Sequence, residues 1–216
     1  MLSIKNLSVK FNHFEVLDNL SFNVKDNEFI AVFGPNGCGK TTLLKSIAGI
    51  IEYNGTILIN DKKPKDSKIG FVFQSYSDSL LPWKTVIDNV AFPLEINGVE
   101  TNKKHKIVKD FLRGTILEEF LDYYPYQISG GMQQLTNIAR AIIFDPEILL
   151  LDEPFSSLDE VSKTQVHAEL RKFLKHKKVT TILVTHNYQE AETLAERIIK
   201  LSKRPTKITD IKESEK

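Results

Sequence analysis

The residues most able to do chemistry are Lys40 and Thr41, set in the run Gly34-Pro35-Asn36-Gly37-Cys38-Gly39-Lys40-Thr41-Thr42. The spacing is G-x-x-x-x-G-K-[ST], and its residue types suit a polyphosphate. Glycines at 34, 37 and 39 let the backbone curl until successive N–H groups converge on an anion. A helix starting here would add its free N-terminal N–H groups and the positive end of its dipole. Lys40 supplies a mobile charge for β- and γ-phosphates, and the Thr41 hydroxyl supplies a hard oxygen for Mg²⁺.

Three other stretches add candidate groups. Ile148-Leu149-Leu150-Leu151-Asp152-Glu153-Pro154 is an apolar run ending in two acids. At the carboxyl end of a strand, Asp152 is placed to hold Mg²⁺ through water and Glu153 to take a proton from an attacking water. An exposed acidic turn gives the same letters. Ile128-Ser129-Gly130-Gly131-Met132-Gln133-Gln134 reads as a capped helix start. Its glycines would let a second phosphate approach closely, although an ordinary Ser-capped helix also fits. His186 follows Ile182-Leu183-Val184-Thr185 and could contact a γ-phosphate or serve structure alone.

These groups need elements to hold them. Phe29–Phe33 is short, apolar and bracketed by turn formers, as a buried parallel strand is. Leu43, Leu44, Ile47, Ala48 and Ile50 fall on one helix face. Leu2–Val9 and Val16–Val24 alternate as half-buried antiparallel strands, with Phe11-Asn12-His13-Phe14 between them. Asn54-Gly55 predicts a turn into a strand over 56–59. A strand over 69–73 would deliver Gln74 at its end. Helices are expected around 86–94, 107–112 and 129–144, with the run Lys103-Lys104-His105-Lys106 on a solvated face or loop. Strands over 148–151, 180–184 and 198–201 alternate with helices over 160–176 and 188–195. After Pro205 the polar tail is expected to fray at 213–216.

Composition limits the classes available. The 216 residues fit one large domain with an inserted subdomain. Hydrophobic content of 41% with 26% charged residues is that of a globular protein. A net charge of +1 argues against binding nucleic acid by bulk charge. The single cysteine, Cys38, excludes an internal disulfide framework and suits a reducing compartment. No apolar run approaches the roughly 18 residues of a membrane span, and Met1-Leu2-Ser3-Ile4-Lys5 does not read as a signal peptide. These features lead to the expectation of a cytoplasmic protein. A thiol beside a helix N-terminus can have a lowered pKa, so Cys38 is either reactive or simply small enough for the loop.

In this order the stretches resemble the nucleotide-binding subunit of ATP-binding-cassette (ABC) transporters over nearly the whole chain. Gly34–Thr42 matches the family's Walker A, Gln74 its Q-loop, Ile128–Gln134 its signature, and Leu149–Pro154 its Walker B with glutamate. Ser157-Leu158-Asp159 matches the D-loop and His186 the switch. The resemblance implies an α/β P-loop NTPase core with an N-terminal antiparallel β-subdomain, spanning 1–74 and 145–216, and an inserted α-helical subdomain at 75–144. It implies ATP and Mg²⁺ as ligands and a head-to-tail pair, each ATP lying between one phosphate loop and the partner's signature helix. In this reading Phe11 stacks on adenine, Gln74 completes the Mg²⁺ shell, Glu153 is the hydrolytic base, His186 senses the γ-phosphate and Asp159 bridges to the partner. Leu135 departs from the family, which usually has Arg there.

Leu80-Leu81-Pro82-Trp83-Lys84-Thr85-Val86, Tyr124-Pro125-Tyr126-Gln127 and Leu201-Ser202-Lys203-Arg204-Pro205 resemble the nitrate/sulfonate/taurine import branch. Leu80, Leu81 and Trp83 would either receive a permease helix or build the subdomain's own core. The implied partners are a second nucleotide-binding subunit, integral-membrane permease subunits at the cytoplasmic face and, indirectly, a solute-binding protein. An exporter subunit, a soluble ABC ATPase of DNA repair or translation, and a P-loop kinase are the alternatives. The last two lack, respectively, the tandem cassettes or long coiled coils expected of them, and an account of the signature and His186.

Overall fold

The computed structural model describes residues 2–74 and 79–213. In chain order the elements are β1 (Leu2–Phe11), β2 (Phe14–Val24), β3 (Phe29–Phe33), α1 (Lys40–Ile47), β4 (Asn54–Ile59), β5 (Ile69–Val72), α2 (Val86–Ile96), α3 (Thr101–Leu112), α4 (Gly130–Ile142), β6 (Ile148–Asp152), α5 (Glu160–Lys177), β7 (Thr180–Thr185), α6 (Tyr188–Leu194), β8 (Arg197–Leu201) and β9 (Ile208–Glu213). Contacts divide the chain into two units, one of residues 1–71, 147–153 and 179–216, the other of 72–146 and 154–178. Helix α5, which the sequence reading set with the nucleotide-binding core, therefore groups with the helical unit.

The first unit holds two sheets. Strands β2-β1-β4 form an antiparallel sheet, and β5-β6-β7-β3-β8-β9 form the larger one. In the larger sheet β6, β7, β3 and β8 run parallel, and β9 is antiparallel to β8. Ile30, Val32, Leu150, Ile182 and Val184 share one core with Leu43, Leu44 and Ile47 of α1 and with Leu7, Leu17 and Leu20 of the smaller sheet. Helix α6 packs on β3 and β7, where Tyr188 meets Phe33 edge-on at 5.4 Å. Cover on both faces explains why β3, β6 and β7 read as unbroken apolar runs rather than alternating ones.

Local sequence explains the joints. Helix α1 closes in a Schellman turn at Gly49 (φ +67), with the Ile50 N–H donating to the Lys45 carbonyl at 2.9 Å. The chain thus turns before Asn54-Gly55, and the turn expected at that pair is instead a strand start. Gly55 (φ +105) lies so close to β1 that a Cβ there would sit 2.4 Å from the Asn6 carbonyl oxygen. Glycine serves close backbone approach at a register shift, not a hairpin turn. The tail holds a second correction. Residues 208–213 form edge strand β9, so Glu213 belongs to a strand; 214–216 lie outside the described residues.

In the second unit α4 packs against both α2 and α5, and α2 against α3. Leu135, at the position where an Arg is usual, is fully buried in α4 and serves this core. The run at 103–106 lies in α3 with Lys103 and Lys106 exposed, as expected of a solvated face, whereas Lys104 is buried and pairs with Glu95 at 2.5 Å. The buried Asn89 of α2 ties down the preceding loop. Its amide donates to the carbonyls of Leu81, Lys84 and Thr85 at 3.0, 2.9 and 3.1 Å, and accepts from the Leu81 N–H at 2.8 Å. The loop's apolar residues divide accordingly: Leu80 joins the core, while Trp83 is 71% exposed. Among the described residues no helix is long and apolar enough to cross a membrane.

Candidate functional site

Helix α1 starts at Lys40, immediately after Gly39 in the left-handed region (φ +108). Only glycine takes that conformation at little cost. The turn brings the helix N-terminus to the carboxyl end of β3, with β7 and then β6 beside it. Five predicted residues of the first unit, Lys40, Thr41, Asp152, Glu153 and His186, are joined there by direct bonds.

One pair and one chain of three residues make up the centre. The Thr41 hydroxyl donates to Asp152 Oδ1 at 3.0 Å. Lys40 Nζ, almost wholly buried, donates to the carbonyls of Gly34 and Pro35 at 3.0 and 3.2 Å and pairs with Glu153 Oε1 at 3.1 Å. The other oxygen, Glu153 Oε2, lies 2.9 Å from His186 Nδ1. Glu153 is thus held from both sides. Its backbone is in the left-handed region (φ +44), with its N–H donating to the Val184 carbonyl at 3.0 Å. Such a conformation costs a bulky residue about 1 kcal/mol or more and turns its side chain out of the strand's alternation.

Burial pushes the Asp152 carboxyl above the usual carboxylate range; the Thr41 hydrogen bond opposes this and the nearby Glu153 charge adds to it. A desolvated acid beside a second hard oxygen suits a small divalent cation, whose charge would offset that of the carboxylate. Thr41 and Asp152 therefore fit Mg²⁺ by donor type. Cys38 behaves differently from the reactive alternative. It is buried, and burial raises its thiol pKa despite the opposing charge of Lys40. It is a packing residue: a Cβ on Gly34 would meet its Sγ at 2.9 Å.

Sequence reasoning missed the support behind His186. Asn187 caps α6, accepting from the N–H groups of Gln189 and Glu190 at 2.9 and 3.3 Å. The buried Thr185 hydroxyl donates to Glu190 Oε2 at 2.7 Å and accepts from the Asn187 N–H at 3.0 Å. These bonds fix the chain on either side of the histidine. The signal was present as Asn187 with Glu190 three residues on, the spacing of a capping box.

The remaining candidates have the following settings. Phe11 ends β1 opposite Phe14, and both rings are largely exposed. In the second unit Gln74 is exposed and precedes residues 75–78, which lie outside the described residues. Ser129 caps α4, accepting from the Met132 N–H at 3.3 Å. A Cβ on Gly131 would come within 3.2 Å of Ser162 Cβ, so that glycine serves the close approach of α4 and α5. Asp159 caps α5, accepting from the N–H groups of Val161 and Ser162, each at 3.0 Å. The Ser162 hydroxyl, donating at 2.6 Å, holds its carboxyl below the usual range.

A phosphate loop between a central parallel strand and a helix, with paired acids at the end of the second strand over, defines a P-loop nucleotide hydrolase. The ABC transporter family profile matches residues 17–156, more than half of the chain, and the chain belongs to that family. It is 44% identical over 218 residues to an uncharacterized ABC transporter ATP-binding protein of Methanocaldococcus jannaschii, covering 97% of this chain and 80% of that one. It is 42% identical over 205 residues to a probable sulfate/thiosulfate import ATP-binding protein of Chlorella vulgaris (92% and 86% covered). With an aliphatic sulfonates import ATP-binding protein of Bacillus cereus the identity is 40% over 203 residues (93% and 79% covered). Two solved structures superpose over the full length of both chains. One is a dimeric bacterial ABC transporter cassette (TM-score 0.84, 29% identity), the other a dimeric post-hydrolysis ATP-binding cassette bound to ADP and Pi (TM-score 0.81, 28% identity). The chain is an ABC-type ATPase with the expected α/β fold.

Proposed function

We propose that this chain is the ATP-hydrolysing subunit of an importer, coupling closure of a nucleotide-bound pair to solute movement through a separate permease. The observation that carries the reading is the chain of contacts Thr41–Asp152 and Lys40–Glu153–His186 at the end of the phosphate loop. In this reading the N–H groups of residues 34–42 cradle the phosphates, and Lys40 exchanges its carbonyl partners for phosphate oxygens. That exchange releases Glu153, which takes a proton from water attacking the γ-phosphorus. His186 holds the carboxylate toward that water and contacts the γ-phosphate. Thr41, Asp152 and Gln74 would hold Mg²⁺, whose charge offsets that of the phosphates. Phe11 stacks on adenine.

Ser129, Gly130 and Gly131 are read as serving the ATP of a second copy, with Asp159 at the same junction. Exposure of Ser129 and a cap that leaves α4 open to an anion support this. Import of a nitrate-, sulfonate- or taurine-type solute is the finer reading, supported by the motifs at 80–86, 124–127 and 201–205 and by the name of the sulfonate-import relative. The working location is the cytoplasmic face of a membrane, bound to permease subunits that a solute-binding protein supplies. Glu153→Gln tests the base. Phosphate release should fall about 10²- to 10⁴-fold, the usual contribution of a positioned general base, while ATP still binds. Wild-type turnover in this variant would remove Glu153 from that role.

A further inference from the structure

We infer that Thr206 is a positioning residue for the phosphate loop: its hydroxyl holds the Cys38 carbonyl outward and so turns the Gly39 N–H into the anion cradle. The inference rests on the phosphate-loop reading and adds to it a residue more than 160 positions downstream of the loop. Thr206 is fully buried although it lies in a polar tail. All three of its polar groups are committed. Its hydroxyl donates to the Cys38 carbonyl. Its N–H donates to the Val16 carbonyl, and its own carbonyl accepts from the Asp18 N–H, both at 3.0 Å. The latter two make a parallel bridge with Leu17, and Lys207 pairs with Asp18 at 3.1 Å beside it.

The geometry at the loop explains what this accomplishes. A trans peptide is planar, with its C=O and N–H pointing in opposite directions. Anchoring the carbonyl of residue 38 therefore sets the direction of the amide of residue 39. Gly39 also packs directly against β2 and Thr206. A Cβ on it would meet Val16 Cγ1 at 2.9 Å and Leu17 Cδ2 at 3.0 Å, with Thr206 Oγ1 next at 3.7 Å. At the other end of the loop, a Cβ on Gly34 would meet Leu201 Cβ at 3.1 Å. The segment from Leu201 to Thr206 thus backs the loop at both ends, and the one side-chain hydrogen bond it sends to the loop's backbone comes from Thr206 among the bonds described. A peptide pre-set in this way loses less freedom when an anion binds, which raises affinity.

The test is calorimetric titration of the full chain with ADP, on Thr206→Val and Thr206→Ser. Valine keeps the shape and removes the donor; serine keeps the donor. Thr206→Val should weaken ADP binding about tenfold, and Thr206→Ser should stay within about twofold of the parent. In turnover assays the valine variant should raise KM for ATP by a similar factor and change kcat by less than about twofold. The ¹⁵N resonance of the Gly39 amide in nucleotide-free protein should move in Thr206→Val and stay in place in Thr206→Ser, a response that a general loss of packing does not produce. If the valine variant does not fold, Thr206→Cys, with a weak donor of similar size, takes its place with the same expected direction. ADP affinity in Thr206→Val equal to the parent, or an equal loss in Thr206→Ser, overturns the inference. Lys40→Ala separates the two readings. If it too binds ADP normally, the phosphate-loop reading falls; if it alone loses affinity, only the role of Thr206 falls.

Discussion

The two units hold their candidate residues in opposite ways. In the first, Lys40 and Asp152 are only 4% and 3% exposed, and each is bonded to another member of the same cluster. In the second, Gln74, Ser129 and Asp159 are exposed, and the described bonds of Ser129 and Asp159 are the caps of their own helices. The contrast separates two tasks. Buried groups bonded to one another keep their polar atoms satisfied before any ligand arrives. An exposed helix start costs nothing to keep open and can meet a ligand carried by another molecule. In the proposed reading, one kind of helix start meets phosphate twice, once in an interior and once on a surface.

Substitutions can break this comparison at either side. The largest effect after loss of the base is expected from Lys40→Ala. Removing this ammonium should weaken ATP and ADP binding by roughly ten- to a hundredfold, the range for a hydrogen bond to a charged group. It should also lower the thermal midpoint of the nucleotide-free protein, because Glu153 loses its ion-pair partner at 3.1 Å in a largely buried setting. Unchanged affinity by calorimetry would show that the interior is not the phosphate seat. Ser129→Glu sharpens the other side. The added carboxylate favours the helix dipole, which offsets part of the lost serine cap, so nucleotide affinity of the single chain should stay within about twofold. Turnover should drop at least about tenfold, because the added charge repels a phosphate of the second copy. Parallel loss of affinity and turnover would place Ser129 in its own chain's site.

The smallest effect concerns the second unit's interior. His167 lies edge-on to Phe155, with ring centroids 4.3 Å apart. Burial, aided by Arg171 and Lys163, lowers its pKa to about 4. The unfolded chain, near the usual 6.5, binds this proton more readily than the folded one between those two values. Stability should therefore fall as pH drops from about 6.5 toward 4, with partial solvent contact moderating the slope. Denaturant midpoints across that range measure it. His167→Gln should flatten the profile by this one group's share, and an unchanged slope would refute the assignment.

How much of this could be read from the letters depends on whether a residue's neighbours lie along the chain or across it. The phosphate loop, the acids at 152 and 153 and the strand–helix alternation were legible, because their spacing and local apolar pattern determine them. Gly55 was not. Its letters say turn, and only the approach of β1 shows that glycine is needed within a strand. Edge strand β9 carries little apolar signal, because it is exposed beyond Ile208 and is held by pairing with β8. Leu135 reads as a missing charge until its burial shows that it fills a core. The pKa of Cys38 depended on two competing influences, helix terminus and burial, and nothing in the sequence weighs one against the other. Asn89 and Thr206 do their work through carbonyls of other segments, and a sequence does not show where those carbonyls will point.

The central claim is that the interior half-site and the exposed helix start complete one another between two copies. Glu153→Gln, which keeps ATP intact, allows the most direct measurement: its mass in solution by sedimentation equilibrium, with and without ATP. The account predicts a chain of 24.6 kDa alone, a doubling of that mass with ATP, and no doubling when Ser129→Glu is added. A protein that binds ATP stoichiometrically and keeps the single-chain mass would contradict it.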